Sequence, residues 1–273
     1  MKKVKRILSL AVIGIIALGL IGCGEKTTEN NKKITIGVCP GPYGDMVNDA
    51  IAPYLKNKGY EVTVTEFTDY IQPDQALANR EINANLMQHT EYLNKFSKDN
   101  NLELSAIKTV PTLSMGAFSS KYKSIGDIPN GAKVAVPDDV SNLARALKVL
   151  RNNGLIELAN GVDETKVSLK DISSNKKKLK FIEVEGPQLP RSIDSVDLSM
   201  VPGNFAYASG FDYSTALFTE KLTENYKNVI AVRTEDLDSE LGKDLKEVVE
   251  SDEYREVIES GKYKEFDKPE WWD

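Results

Sequence analysis

The densest concentration of binding chemistry lies between Lys133 and Leu150, in KVAVPDDVSNLARALKVL. Asn142 and Arg145 stand three positions apart there, roughly 60° from each other around a helix, while Leu143, Leu147 and Leu150 gather on another side. An amide and a guanidinium beside a helix start suit a small carboxylate, because a forked cation, free N–H groups and the helix dipole act together. The same spacing also describes an ordinary solvated arginine on an amphipathic helix, and this stretch alone leaves both readings open. It predicts a buried strand over Lys133–Val136, a loop opened by Pro137, and a helix from about Ser141, the expected N-cap.

Composition removes several other chemistries. The 273 residues include one histidine, His89, which excludes a multi-histidine zinc site and leaves a serine-type triad unsupported. Of the two cysteines, Cys23 and Cys39, the first has a separate expected fate, so Cys39 has no disulfide partner and reads as a small buried residue. The net charge of −6 becomes −10 once the first 22 residues, with four bases and no acid, are removed. An acidic balance without a basic face argues against nucleic-acid binding. The basic run NKKKLK, 175–180, lacks interleaved aromatics and reads as a solvated loop. No cofactor or metal is expected.

The amino-terminal residues 1–22 read as a signal: the basic MKKVKR, then sixteen largely apolar residues, too short for a typical span of about 20. They end in Leu20-Ile21-Gly22-Cys23, which resembles the bacterial lipobox, so Cys23 is the expected lipidation site and palmitate-type acylation the expected anchor. Residues 23–33 are polar and aperiodic, a flexible tether.

The folded part alternates strands with helices, which predicts an α/β protein with mostly parallel sheets and enough residues for two lobes. Expected strands are Ile34–Val38, Glu61–Phe67, Ile82–Met87, Leu104–Thr109, Ser114–Phe118, Lys133–Val136, Lys180–Val184, Val196–Val201 and Val229–Val232, with a helix in one piece or two over Leu241–Glu259. In open α/β sheets ligands bind beyond the carboxyl ends of strands. The segments there hold Tyr43, Tyr70, Gln88, His89, Asn142, Arg145 and Asn204: aromatics, amides and a cation, without a nucleophile–base pair. This set predicts recognition, not catalysis. Tyr70 could instead cap a loop, His89 orient one, Asn204 cap the next helix, and Leu86 and Met87 belong to the core.

EFTDYIQPDQAL (66–77), NANLMQHTEYL (83–93), VPDDVSNLARAL (136–147), LPRSIDSVD (189–197) and PGNFA (202–206) follow one another behind the lipobox. Together they closely resemble the methionine-binding lipoprotein family, the substrate-binding subunits of methionine ABC importers, over essentially the whole mature chain. The resemblance implies a two-lobe periplasmic-binding-protein fold of type II with the ligand in the interlobe cleft. The expected lobes are residues 34–120 plus 229–273, and 121–228, with crossings near Ser119–Lys123 and Tyr226–Val232.

The resemblance also implies roles. Arg145 would hold the ligand carboxylate, Asn142 and Asn204 its amino and carboxylate groups, and Tyr70 with the residues before His89, Met87 and Gln88, would form the wall around its side chain; His89 matches the family's Gln-His pair, and Tyr43 and His89 complete the expected ligand-binding set. The chain departs from the family pattern at Tyr43, Leu86, Met87, Asp138, Ala144 and Phe205. The expected function is a lipid-anchored, extracytoplasmic bacterial receptor that hands L-methionine or a closely related amino acid to the permease and ATPase of an ABC importer. Another apolar amino acid, oxidised methionine or a short peptide is the alternative cargo. An extracytoplasmic enzyme on the same fold and a structural lipoprotein are the readings from other classes.

Overall fold

The computed structural model describes residues 32–272. The signal, Cys23 and nearly all of the tether lie outside them. Twelve strands are described: β1 (Lys32–Val38), β2 (Tyr60–Glu66), β3 (Ala84–His89), β4 (Leu104–Thr109), β5 (Gly116–Phe118), β6 (Lys133–Pro137), β7 (Glu157–Leu158), β8 (Ile172–Ser174), β9 (Lys180–Val184), β10 (Leu198–Val201), β11 (Phe218–Thr219) and β12 (Asn228–Arg233). They form two five-stranded sheets, β2-β1-β3-β12-β4 and β11-β5-β10-β6-β9, and a small β7-β8 pair. β1 begins at Lys32, so Lys32 and Lys33, expected within the tether, belong to the first strand.

Each sheet is covered on both faces, which is why its central strands β3, β10 and β12 are buried along almost their whole length. One face of the first sheet packs on a helix over residues 42–57 through Met46, Val47, Ile51 and Leu55, and on two carboxyl-terminal helices through Leu245, Val248, Tyr254 and Ile258. The first of these helices widens to a π-turn over Val47–Ile51 just before Pro53, which has no N–H to offer the carbonyl four residues back. The other face packs on the Ile71–Ala78 and Thr90–Asn100 helices through Leu77 and Leu93. In the second sheet the Val140–Asn152 helix buries Leu143, Leu147 and Leu150 on Val134, Val136 and Met200. Phe118, Leu189 and Phe205 fill the opposite face. The carboxyl-terminal helical stretch is two helices, Glu240–Glu250 and Asp252–Ser260: Ser251 is extended between them and its hydroxyl caps the second by accepting Tyr254 N–H.

The sheets are mixed, which corrects the expectation of mostly parallel ones. β1 runs parallel to β2 and β3, and β6 parallel to β9 and β10. β12 is antiparallel to β3 and β4, and β5 antiparallel to β10 and β11. The reason is connectivity. The chain passes between the sheets in residues 110–115 and 220–227, and each passage is followed by a strand that starts where the parallel strands end: Asn228 pairs with His89, and Gly116 with Val201. The expected crossing at Ser119–Lys123 is therefore too late, because Gly116–Phe118 already belongs to the second sheet.

Candidate ligand-binding site

The crossings bring the carboxyl ends of β1, β2, β3, β6 and β10 to face one another. Their loops form one pocket lined by Tyr43, Tyr70, Met87, Gln88, His89, Asn142, Arg145 and Asn204, the eight positions expected from sequence, together with Tyr92, Leu113, Gly203 and Asn228. Leu86 does not reach it and is core of the first sheet.

Hydrogen bonds span the space between the two sheets. Tyr70 Oη donates to Asn204 Oδ1 at 2.7 Å, and Asn204 Nδ2 donates to Pro40 O at 3.0 Å. Asn204 is therefore not a helix cap; Pro202 holds that position in the Gly203–Ala208 helix without a side-chain bond. The approach depends on Gly41. Its φ of +143° is a region side chains avoid, and a Cβ there would stand 2.7 Å from Asn204 Cβ.

His89 both orients a loop and lines the pocket. It is the N-cap of the Thr90–Asn100 helix, its Nδ1 accepting Tyr92 N–H at 3.1 Å. The ring proton is thereby assigned to Nε2, which donates to Asn142 Oδ1 at 3.0 Å. Burial, reinforced by the Arg145 charge, pushes the imidazole down to about 3, so it is neutral at physiological pH.

Asp139, not Ser141, is the N-cap of the Val140–Asn152 helix: Oδ1 accepts Asn142 N–H at 2.9 Å, and Ser141 merely donates its hydroxyl to the same oxygen. A carboxylate caps better than a hydroxyl here because it has room for several donors. Asn142 Nδ2 turns back to both Asp139 oxygens, at 3.2 and 3.1 Å, which leaves Asn142 Oδ1 facing His89.

Arg145 is buried and has a partner that sequence reasoning missed. Its Nε lies 2.9 Å from each oxygen of Glu220, and Nη2 lies 2.5 Å from Oε2, while Glu220 Oε2 also accepts Met115 N–H at 3.1 Å. Burial alone would weaken the guanidinium's hold on its proton, but the Glu220 carboxylate overrides this and raises it above the usual arginine range. The solvated-arginine reading is thus excluded, and the fork is amended: Glu220 takes the Nε side, leaving three N–H donors on Nη1 and Nη2. Nη1 lies 3.4 Å from Asn142 Oδ1, and the guanidinium rests 5.3 Å over the Tyr226 ring. The pocket therefore presents a cation whose charge is already balanced from behind, neutral acceptors, and three phenol rings.

This arrangement offers no route to bond cleavage. The Cys39 thiol, buried, donates to Asp69 O, and burial raises it well above the usual thiol range. The imidazole is committed through both nitrogens.

The NlpA lipoprotein family profile matches residues 34–271. The chain belongs to the NlpA lipoprotein family. Among curated NlpA relatives, "D-methionine-binding lipoprotein MetQ" of Salmonella typhi is 35% identical over 246 residues, 89% of each chain. Among solved structures, a Burkholderia cenocepacia nutrient binding protein bound to methionine shares 35% identity at a TM-score of 0.80, covering 85% of this chain and 97% of that one. A Coxiella burnetii ABC transporter periplasmic substrate-binding protein shares 33% identity at 0.78, covering 83% and 96%. These NlpA relatives and neighbours are binding proteins, not enzymes.

Proposed function

We propose that this protein captures methionine, or an amino acid closely like it, outside the cell and delivers it to an ABC importer. The observation that carries this reading is the charge balance of the pocket. Arg145 supplies donors for a carboxylate, yet Glu220 cancels its charge, so the site suits a ligand that is itself neutral overall but carries both signs. Asn142, Asn204 and Gln88 are amides suited to an ammonium and a carboxylate together. Tyr43, Tyr70, Tyr92 and Met87 surround them with surface that suits a thioether, whose contacts with rings contribute about 0.3–1.5 kcal/mol each. The names of relatives include D-methionine, so both enantiomers are candidate cargo.

The two sheets are the cores of two lobes that close on the ligand, hinged at residues 110–115 and 220–227. Cys23 carries the lipid that keeps the receptor at the outer face of the cell membrane, beside the permease and ATPase it serves. A thermal-shift and calorimetric screen of both enantiomers of the common amino acids tests the function. Ligand at about 100 times its Kd stabilises by about 2.7 kcal/mol, a readily measured rise in melting temperature. The expected result is a rise with methionine and none with glutamate or lysine; tight glutamate or lysine binding with methionine inert overturns it.

A further inference from the structure

Behind the pocket wall lies a carboxylate with no part in the contacts described so far. Asp74, in the Ile71–Ala78 helix, is fully buried, and its Oδ1 accepts from Asn85 Nδ2 at 2.8 Å and from Gln88 Nε2 at 2.5 Å. Gln88 Nε2 also donates to Asn85 Oδ1 at 3.1 Å. An ionised carboxylate only accepts, so it draws the NH2 end of both amides toward itself. The opposite orientation of Gln88 would set its carbonyl oxygen against two other oxygens. The amide is therefore fixed with Oε1 turned away from Asp74. Gln88 lines the pocket, and its Oε1 is buried with no donor among the described residues. A buried carbonyl without a donor is costly, and it stands in the site expected to receive an amino acid.

We infer that Asp74 is a positioning residue for the ligand's amino group, holding the Gln88 amide so that Oε1 is presented to the pocket as an acceptor for an ammonium. The inference rests on the amino-acid reading given above. It also assigns a condition: the hold on the amide is strongest while Asp74 is ionised and weakens when it takes a proton, because a neutral carboxyl is a poorer acceptor than a carboxylate. Burial pushes this carboxyl up to about 7, against the opposing bonds from Asn85 and Gln88.

Few other groups near it compete for that role. The Cys39 thiol and the Tyr92 phenol are both raised by burial and stay protonated, and His89 on β3 is neutral. On β12, Arg233 is tied to the carbonyls of Leu77 and Ile82. The acids Asp69 and Glu66 precede the helix and help to keep the Cys39 thiol protonated.

Calorimetry with two probes, L-methionine and 4-(methylthio)butanoate, which lacks the amino group, tests this. Asp74→Asn should weaken methionine binding by about tenfold and change the des-amino acid by no more than about twofold. In wild type the preference for methionine over the des-amino acid should shrink between about pH 8 and about pH 6, and in Asp74→Asn it should be flat. If Asp74→Asn fails to fold in a melting experiment, Gln88→Leu, which keeps the carboxylate and removes Oε1, must show the same selective loss. Equal weakening of both probes assigns Asp74 a purely structural role and overturns the inference, as does unchanged methionine binding in either folded variant. Wild type binding neither probe would instead sink the amino-acid reading, and the inference with it.

Discussion

Tyr70 and Asn204 come from different sheets and meet at 2.7 Å, the phenol donating to the amide oxygen. Asn204 uses its other end on Pro40 O, so one side chain ties the second sheet to two separate loops of the first. A side chain that bonds across a cleft stabilises the closed arrangement alone. Tyr70→Phe removes that bond and keeps the ring packed on Phe205, 5.1 Å away. The expected loss is about 0.5–1.5 kcal/mol, or about 2- to 10-fold in Kd for methionine, with little change in ligand-free stability. A melting temperature that falls in the ligand-free protein while affinity holds would assign Tyr70 to folding instead.

Arg145 and Glu220 form a buried ion pair, so removing one member strands the other. Arg145→Ala should cost about 3–5 kcal/mol of stability in urea denaturation, besides abolishing methionine binding. Replacing both residues by Met should recover much of that stability while binding stays lost, because apolar groups can substitute for the pair in packing but not for its remaining N–H donors. A double variant as unstable as the single one refutes this account of the pair, and methionine binding retained in Arg145→Ala refutes the site.

Gly41→Ala places a methyl group 2.7 Å from Asn204 Cβ and asks for a backbone conformation that alanine avoids. The strain is relieved if the two sheets part. Methionine affinity should drop by about tenfold, and small-angle scattering should show less compaction on ligand addition than wild type shows. Wild-type affinity together with wild-type compaction would show that the loop yields without cost.

His89 is held neutral, with its titration moved down to about 3 from the ordinary imidazole value near 6.5. Between those limits the unfolded chain binds a proton that the folded chain refuses. The stabilisation is therefore complete above about pH 6.5 and is lost as pH falls toward about 3. Asp74, raised to about 7 from an ordinary value near 3.9, acts in the opposite sense: its contribution is greatest below about pH 3.9 and is lost as pH rises through about 7. Denaturation series across this range should show a shallower acid decline in His89→Gln than in wild type; parallel curves would contradict the neutral assignment.

Cys23→Ala should abolish acylation and release the protein from membranes, read by mass spectrometry of the amino terminus and by fractionation. Acylated, membrane-bound Cys23→Ala would refute the lipobox reading.

The sequence disclosed the pocket's rim because strand ends and helix starts are local features. Asn142 and Arg145 share one side of a helix by spacing alone, and Tyr43, Tyr70, His89 and Asn204 each follow an apolar run. What lay behind the rim was not legible. Glu220 sits in TEKLTEN, which has no period to distinguish a buried acid from an exposed one, and its partner is 75 positions away. Asp74 stands within a motif recognised as a unit, yet its partners Asn85 and Gln88 arrive from β3, outside that motif. Strand direction was missed for a related reason. β5 and β12 look like any other strand, and only the passage of the chain between the sheets makes them antiparallel.

Gln88, Asn142 and Arg145 are each backed by a carboxylate outside the pocket lining: Asp74, Asp139 and Glu220. This pairing has an evolutionary consequence. Descendants of this gene are held back from drifting toward an oppositely polarised cargo one codon at a time, because replacing Arg145 alone strands the buried Glu220 and replacing Gln88 alone strips a donor from the buried Asp74. A change of diet requires coordinated change at positions as far apart as 145 and 220, and lineages that share the inner residues should share the outer acids as well.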